Sequence, residues 1–201
     1  MTHPVNYMGG VKAAPRTFQF KISLKRSRPL IWRRILVAAE TPLDLLHLIL
    51  QRTMGWSNVH LHDFLIGKEY YGDPAVDNVL GFKNECDYSI GQLLKEPGGK
   101  FVYEYDFGDD WEHEITFEKI VPNQARTPSP HCVGGARACP PEECGGIWSY
   151  YRLLKIIKDK KHPEYTTTRG WFGYDFDPEE FNLDAINKQL ADLRSPSSFS
   201  K

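Results

Sequence analysis

The residue types best suited to chemistry in this chain fall into three groups. The first is Cys132, Cys139 and Cys144, three of the four cysteines, gathered in one loop-like stretch. Thiolates bind Zn²⁺ tetrahedrally, and a loop that must wrap ligands around an ion needs a permissive backbone, which Gly134-Gly135 and Gly145-Gly146 supply here. Zinc is therefore the one cofactor this pattern suggests. The six-residue first gap is wider than the usual two to about four, and the site would need a fourth ligand such as His131, His113 or His162. The same three residues also read as small buried apolar side chains that pin a loop, or as a redox pair. Cys144 has the further option of a nucleophile, because it precedes a helical pattern whose dipole would lower its pKa.

The second group is His60, His62, Asp106 and His113. Two residues apart on a strand, His60 and His62 project from one face about 7 Å apart along the backbone, close enough for a shared metal ion. A neighbouring hairpin with Asp106, Asp109, Asp110 and His113 could add carboxylates and a third imidazole, making a His/Asp site for a hydrolytic metal. Against this, His60 and His62 share their strand face with Phe64 and Ile66, and His113 lies between Trp111 and Ile115, which is also how core histidines look. Asp109 and Asp110 are ordinary turn residues.

The third group is basic. Lys25, Arg26, Arg28, Arg33 and Arg34 surround Trp32 within ten residues. Guanidinium groups beside an aromatic ring suit phosphates and stacked bases, so nucleic acid or another phosphate-bearing partner is the interaction this cluster suggests. A solvated hairpin tip, or pairing with the chain's own Glu112, Glu114 and Glu118, is the plainer alternative. No Walker loop, dinucleotide fingerprint, nucleophile elbow or zinc-protease helix occurs.

The elements that must position these groups follow from hydrophobic periodicity. Thr17 to Leu24 alternates cleanly, Ile31 to Val37 is rich in β-formers, and the two make a hairpin through Ser27-Arg28-Pro29. Thr41-Pro42-Leu43-Asp44 opens a helix with Thr41 as N-cap, and Gly55 closes it. Val59 to Ile66 is a strand that turns at Gly67-Lys68, and a short helix is expected around Ser89 to Leu94. Phe101 to Phe107 and Trp111 to Val121 form the strongest hairpin signal. Pro122 to Gly146 reads as a long loop, Ile147 to Asp159 as a helix, and Asp177-Pro178-Glu179-Glu180 as the start of a last helix. The pattern predicts an α+β fold, mainly an antiparallel sheet with inserted and C-terminal helices, as one domain over residues 16–194 between flexible tails at 1–15 and 195–201.

Composition narrows the function classes without choosing among them. A 201-residue chain with 41% hydrophobic and 25% charged residues lies in the globular range. Its formal net charge of −1 gives no overall field toward nucleic acid or an anionic membrane, so any such contact must be local. No apolar run is long enough to span a bilayer and the start lacks a signal core, which places the protein in the cytoplasm with no membrane partner expected.

The segments PLIWRRILV at 29–37, LHLILQRTMGW at 46–56, HLHDFLI at 60–66, YEYDFGDDWEHEI at 103–115 and ACPPEECGG at 138–146 occur in an order and spacing that resemble the plasmid pRiA4b ORF-3-like family. That family includes passenger proteins of some bacterial transposons. This chain departs from the usual pattern after the double glycine, where Ile147-Trp148-Ser149-Tyr150 replaces a second Gly-Tyr pair. The resemblance implies an α+β fold and an association with mobile elements, but no activity and no catalytic residues to carry over. From the residues, a non-enzymatic binding or accessory module is the leading expectation, and a metal-dependent hydrolase with the His/Asp site is the alternative.

Overall fold

Alternation makes Thr17–Leu24 strand β1, with Phe18, Phe20, Ile22 and Leu24 all essentially inaccessible to solvent. In the computed structural model, which describes residues 16–73, 75, 81–122 and 130–193, β1 runs between β2 (Trp32–Ala38) and β7 (Trp111–Val121), antiparallel to both. The sheet extends from there through β6 (Lys100–Tyr105), β3 (His62–Ile66), β4 (Glu69–Gly72) and the short β5 (Lys83–Asn84), and on the other side ends at β8 (His131–Ala136). Among the described residues this is an eight-stranded sheet in the order β5-β4-β3-β6-β7-β1-β2-β8, antiparallel except for the β4–β5 pair. With its helices it is an α+β fold. The tails expected at 1–15 and 195–201 lie outside the described residues.

One face of the sheet is apolar and is covered by helices. Helix α1 (Leu43–Met54) turns Leu43, Leu46, Ile49 and Leu50 onto it, and α3 (Gly146–Lys158) adds Ile147, Tyr150 and Leu154. Helix α5 (Leu183–Asp192) packs against both α1 and β8 and buries Leu190. The small α2 (Ile90–Leu93) and α4 (Tyr165–Phe172) complete the α-helices among the described residues. No helix among the described residues is long and apolar enough to cross a membrane. The opposite face is polar and laced with cross-strand pairs. Arg34 grips Glu118, Lys25 meets Glu112 at 2.9 Å, and Lys100 meets Glu114 at 2.9 Å.

Four local expectations differ from what forms. Thr41 does not cap α1; Pro42 occupies the cap, and the helix start is fastened by Leu43 N–H to Tyr88 O (3.0 Å) and Ile90 N–H to Thr41 O (2.9 Å). The strand expected from Val59 begins only at His62. Asp177 makes a turn, its carboxylate accepting from Glu179 N–H, and the last helix starts later, where Asn182 accepts from Ala185 N–H at 2.9 Å. Within the expected loop lies β8, whose Gly134-Gly135 carries little strand propensity. Glycine is required there by packing: a Cβ on Gly135 would sit 2.4 Å from the Phe181 ring and 2.8 Å from the Trp32 carbonyl oxygen.

Candidate functional site

The histidines divide among separate environments. Because β3 starts at His62, His60 is outside the pleat and does not share its strand face. His60 Nε2 lies 2.7 Å from Glu143 Oε1 and 3.6 Å from Asp106 Oδ2, on a partly exposed rim. His62 Nε2 lies 2.9 Å from Glu85 Oε2, and its ring stacks on His47 with centroids 3.4 Å apart and planes 6° from parallel. His113 is fully enclosed beside the rings of Trp56 and Tyr103, near the backbone of Tyr103 and Trp111, and neither ring nitrogen makes a regular hydrogen bond among the described residues. Burial pushes its pKa down to about 4, so it is neutral at physiological pH. The structure therefore brings His60 to Asp106 and separates His62 and His113 from them.

His47, Gln51, Glu85 and Asn58 were not singled out by sequence reasoning, yet three of them join Tyr103 in a closed polar ring. Gln51 Nε2 donates to Tyr103 Oη (2.9 Å), and His47 Nδ1 lies 2.8 Å from that hydroxyl. His47 Nε2 lies 2.6 Å from Asn58 Oδ1, and Asn58 N–H returns to Gln51 Oε1 at 3.1 Å. The partners assign the tautomer: Tyr103 O–H donates to Nδ1, and Nε2–H donates to Asn58. Burial, with a smaller contribution from His62, depresses the His47 pKa to about 3. The available signal was two polar residues four apart, His47 and Gln51, on the same helical face as Leu43, Leu50 and Met54. A polar pair on an apolar stripe marks a buried network, not in itself a reaction.

Cys139 lies near enough to Cys144 for their charges to interact, and Cys132 and Cys139 share Arg33 as a neighbour. All four are free thiols, and no group of three or more His, Cys, Asp or Glu among the described residues is arranged to hold a metal ion. Cys132 is buried on β8, its N–H held by Asn187 Oδ1 (2.8 Å), while Cys144 is buried at the entry to α3. Burial raises the pKa of all three thiols, Cys144 to about 12, which overrides the helix-terminus effect expected there. The loop is fixed by other contacts. Trp56 Nε1 donates to Pro140 O, Tyr105 Oη donates to Glu142 (2.6 Å), and Gly145 N–H donates to Asp109 Oδ2 (3.0 Å). The ACPPEECGG segment thus docks on the ends of α1 and β6 and on the β6–β7 turn.

The basic cluster is also divided. Arg34 is paired with Glu118 and lies over Trp32 on the polar sheet face. Arg33 turns into the protein, only 3% exposed, where its guanidinium donates to the carbonyls of Thr53, Trp32 and Ala136 and lies over Phe181. Lys25 and Arg26 reach Glu112 and Asp110. At the β1–β2 turn, Ser27 Oγ donates to Leu24 O (2.7 Å) and accepts from Ile31 N–H (2.9 Å), which holds the turn out beside α3. Arg28 N–H then donates to Tyr151 Oη at 2.6 Å, fastening turn to helix.

Between them is a cleft of about 800 Å³ whose lining includes Arg26, Arg28, Arg137, Arg152, Lys155 and Lys158. Among the described lining residues Glu179 is the one carboxylate, and it is engaged by Arg137. Arg152 approaches Glu164 at 3.9 Å with both side chains well exposed, a pairing worth little in water. The side chains of Arg28, Lys155 and Lys158 make no ion pair among the described residues. Residues on α3 three and four apart supply most of one wall: Trp148, Tyr151, Arg152, Lys155 and Lys158. The α3 cations escaped notice in the sequence because they are spread through a helix and meet the hairpin cations only in space.

The fold is shared with known proteins. A solved structure of a protein of unknown function from Methanosarcina mazei Go1, MM3350, matches 85% of this chain and 97% of its own, with TM-score 0.76 and 33% identity. The protein y4hQ of Sinorhizobium fredii, described as uncharacterized, is 33% identical over 177 residues, covering 87% of this chain and 91% of that protein. The family model for plasmid pRiA4b ORF-3-like proteins matches residues 16–185. The segments that dock on one another around Trp56, Tyr105 and Asp109 are those in which the resemblance was first visible, and the chain belongs to the plasmid pRiA4b ORF-3-like family.

Proposed function

We propose that this protein is a non-enzymatic binding module that holds a phosphate-bearing partner, nucleic acid above all, in the cleft between the β1–β2 turn and α3. One observation carries the reading: six arginine and lysine side chains line a single concave site with one carboxylate among its described residues, and three of them, Arg28, Lys155 and Lys158, have no ion-pair partner among the described residues, on a chain whose net charge is only −1. Such local concentration of cations stabilises bound phosphates without a field over the whole surface. The family's inclusion of transposon passenger proteins points the same way. The hydrolase reading has thinner support, since of its four residues only His60 and Asp106 approach one another.

Fluorescence anisotropy with labelled DNA at about 50 mM salt tests the reading, because phosphate contacts weaken steeply as salt rises. Binding is expected, and the combined change Arg28→Ala, Lys155→Ala and Lys158→Ala should weaken it and flatten the logarithmic salt slope by roughly 0.7–0.9 per lost contact. Arg34→Ala, on the sheet face with Glu118, should leave binding unchanged. No binding at low salt, or binding indifferent to the triple change, would falsify the proposal.

A further inference from the structure

The cleft holds more than cations. Trp148 is 74% exposed, the most exposed of the chain's large hydrophobic side chains among the described residues, and it stands in the cleft lining. Ile147 and Tyr150, either side of it on α3, are buried, so the helix is packed normally and the indole is on its outer face. A solvated tryptophan of this kind loses the hydrophobic stabilisation that burial would give it. Beside it, Tyr151 is half-buried and its hydroxyl is committed to Arg28 N–H. One helical turn beyond Trp148 comes Arg152, then Lys155 a turn further and Lys158 beyond it, a cationic row running along the cleft from the ring.

From this arrangement we infer that the cleft takes single-stranded nucleic acid, with a base stacked on Trp148 and the following phosphates on Arg152, Lys155, Lys158 and Arg28. The inference rests on the proposed phosphate-binding role and specifies its ligand. Two arguments favour a single strand over a duplex. A cleft of about 800 Å³ is in the range of sites that enclose small molecules, so nucleotides can enter it where a duplex can only touch its rim. A tryptophan face is useful to an unpaired base, whose π-surface is free, and is sequence-tolerant for the same reason. Duplex bases present only their edges in the grooves.

The test uses the full chain, a labelled single-stranded oligonucleotide of mixed sequence and its matched duplex, titrated at several salt concentrations. The single strand should bind at least about tenfold more tightly than the duplex. Trp148→Ala should weaken single-strand binding by roughly five- to a hundredfold, the loss of one stacked base, while leaving the salt slope and duplex binding unchanged. Trp148→Phe should recover much of the affinity. Lys155→Ala with Lys158→Ala should flatten the salt slope with Trp148 in place. Equal binding of both forms, or a Trp148→Ala protein that binds the single strand normally, overturns the inference and leaves phosphate binding standing. Binding of neither form overturns both.

Discussion

At the scale of single residues, the polar groups carried inward are the clearest source of measurable behaviour. His47 and His113 are held neutral, with pKa values pushed to about 3 and about 4, mainly by burial. In the unfolded chain each titrates near 6.5. Their folded values are depressed, so below about pH 6.5 the unfolded state takes up protons that the folded state refuses. Stability present above pH 6.5 is therefore lost as pH falls toward 4, with a slope of up to about 1.4 kcal/mol per pH unit for each histidine. Urea midpoints measured from pH 7 to pH 4.5 should fall accordingly, and His113→Phe, which keeps a flat ring and removes the titration, should show a shallower fall than the parent. An identical slope would mean that His113 is protonated in the folded protein. The thiols offer a second residue-level test. Cys86 is exposed, while Cys132 and Cys144 are buried and Cys139 is partly so, with its thiol pKa raised by burial. Cys86 should react first with a thiol reagent at pH 8, and the other three only as the protein unfolds. About one zinc per chain on elemental analysis would instead require the cysteine loop to rearrange from the arrangement described. Residue types alone were a poor guide to which of these groups meet. The sequence marks His60, His62, Asp106 and His113 as one set because strand alternation is read along the chain, whereas His60 lies before β3 and His113 points into the core.

Elements were legible wherever periodicity and packing agree. β1, α1, the β6–β7 hairpin and α3 all appear close to their expected bounds, because each presents an unbroken apolar stripe to the same sheet face. β8 and α4 were not legible, since the first is built on Gly134-Gly135 and the second on TTTRG, both poor formers of the structures they adopt. Tertiary contact decides them, and β8 shows how finely. The two adjacent glycines should respond in opposite ways to the same change. A Cβ on Gly134 meets only the Trp32 ring at 3.8 Å, ordinary contact, and the residue has no left-handed backbone to protect. Gly134→Ala should therefore be neutral or stabilising by up to about 1 kcal/mol through the entropy of the unfolded chain. A Cβ on Gly135 falls 2.8 Å from the Trp32 carbonyl oxygen and closer still to the Phe181 ring, so β8 or the segment leading into α5 must shift. Gly135→Ala should cost about 1–3 kcal/mol by overpacking. Thermal melts of the two variants against the parent decide this, and equal effects would mean that β8 is not seated on Phe181.

At the scale of the whole molecule, the sheet ties distant parts of the chain to one another. β1 pairs with β7 about a hundred residues away, and β2 pairs with β8. The five segments that carry the family resemblance are far apart in sequence, yet Trp56, Tyr105, Asp109 and Glu142 join three of them directly through hydrogen bonds and ring contacts. This explains why the fold class could be read from the sequence while the candidate site could not. Alternation and capping are local properties, but the basic cleft exists only after the β1–β2 turn is fastened to α3 through Arg28 and Tyr151. It follows that the cleft and the core should be lost together. One hydrophobic cluster runs from β1 and α1 through β6 and β7 to α3 and α5, without a division between an N-terminal and a C-terminal part. Urea unfolding should then be a single cooperative transition, with far-UV circular dichroism and the fluorescence of the buried Trp56 and Trp111 changing at the same midpoint. Any ligand of the cleft should raise that midpoint as its concentration rises above its Kd, because it binds only the folded chain. Two resolved transitions, with the helical signal of α3 to α5 melting ahead of the tryptophans, would instead make the C-terminal helices a separate unit docked on the sheet. A ligand spanning the cleft would then stabilise the earlier transition first, since α3 forms one of its two walls.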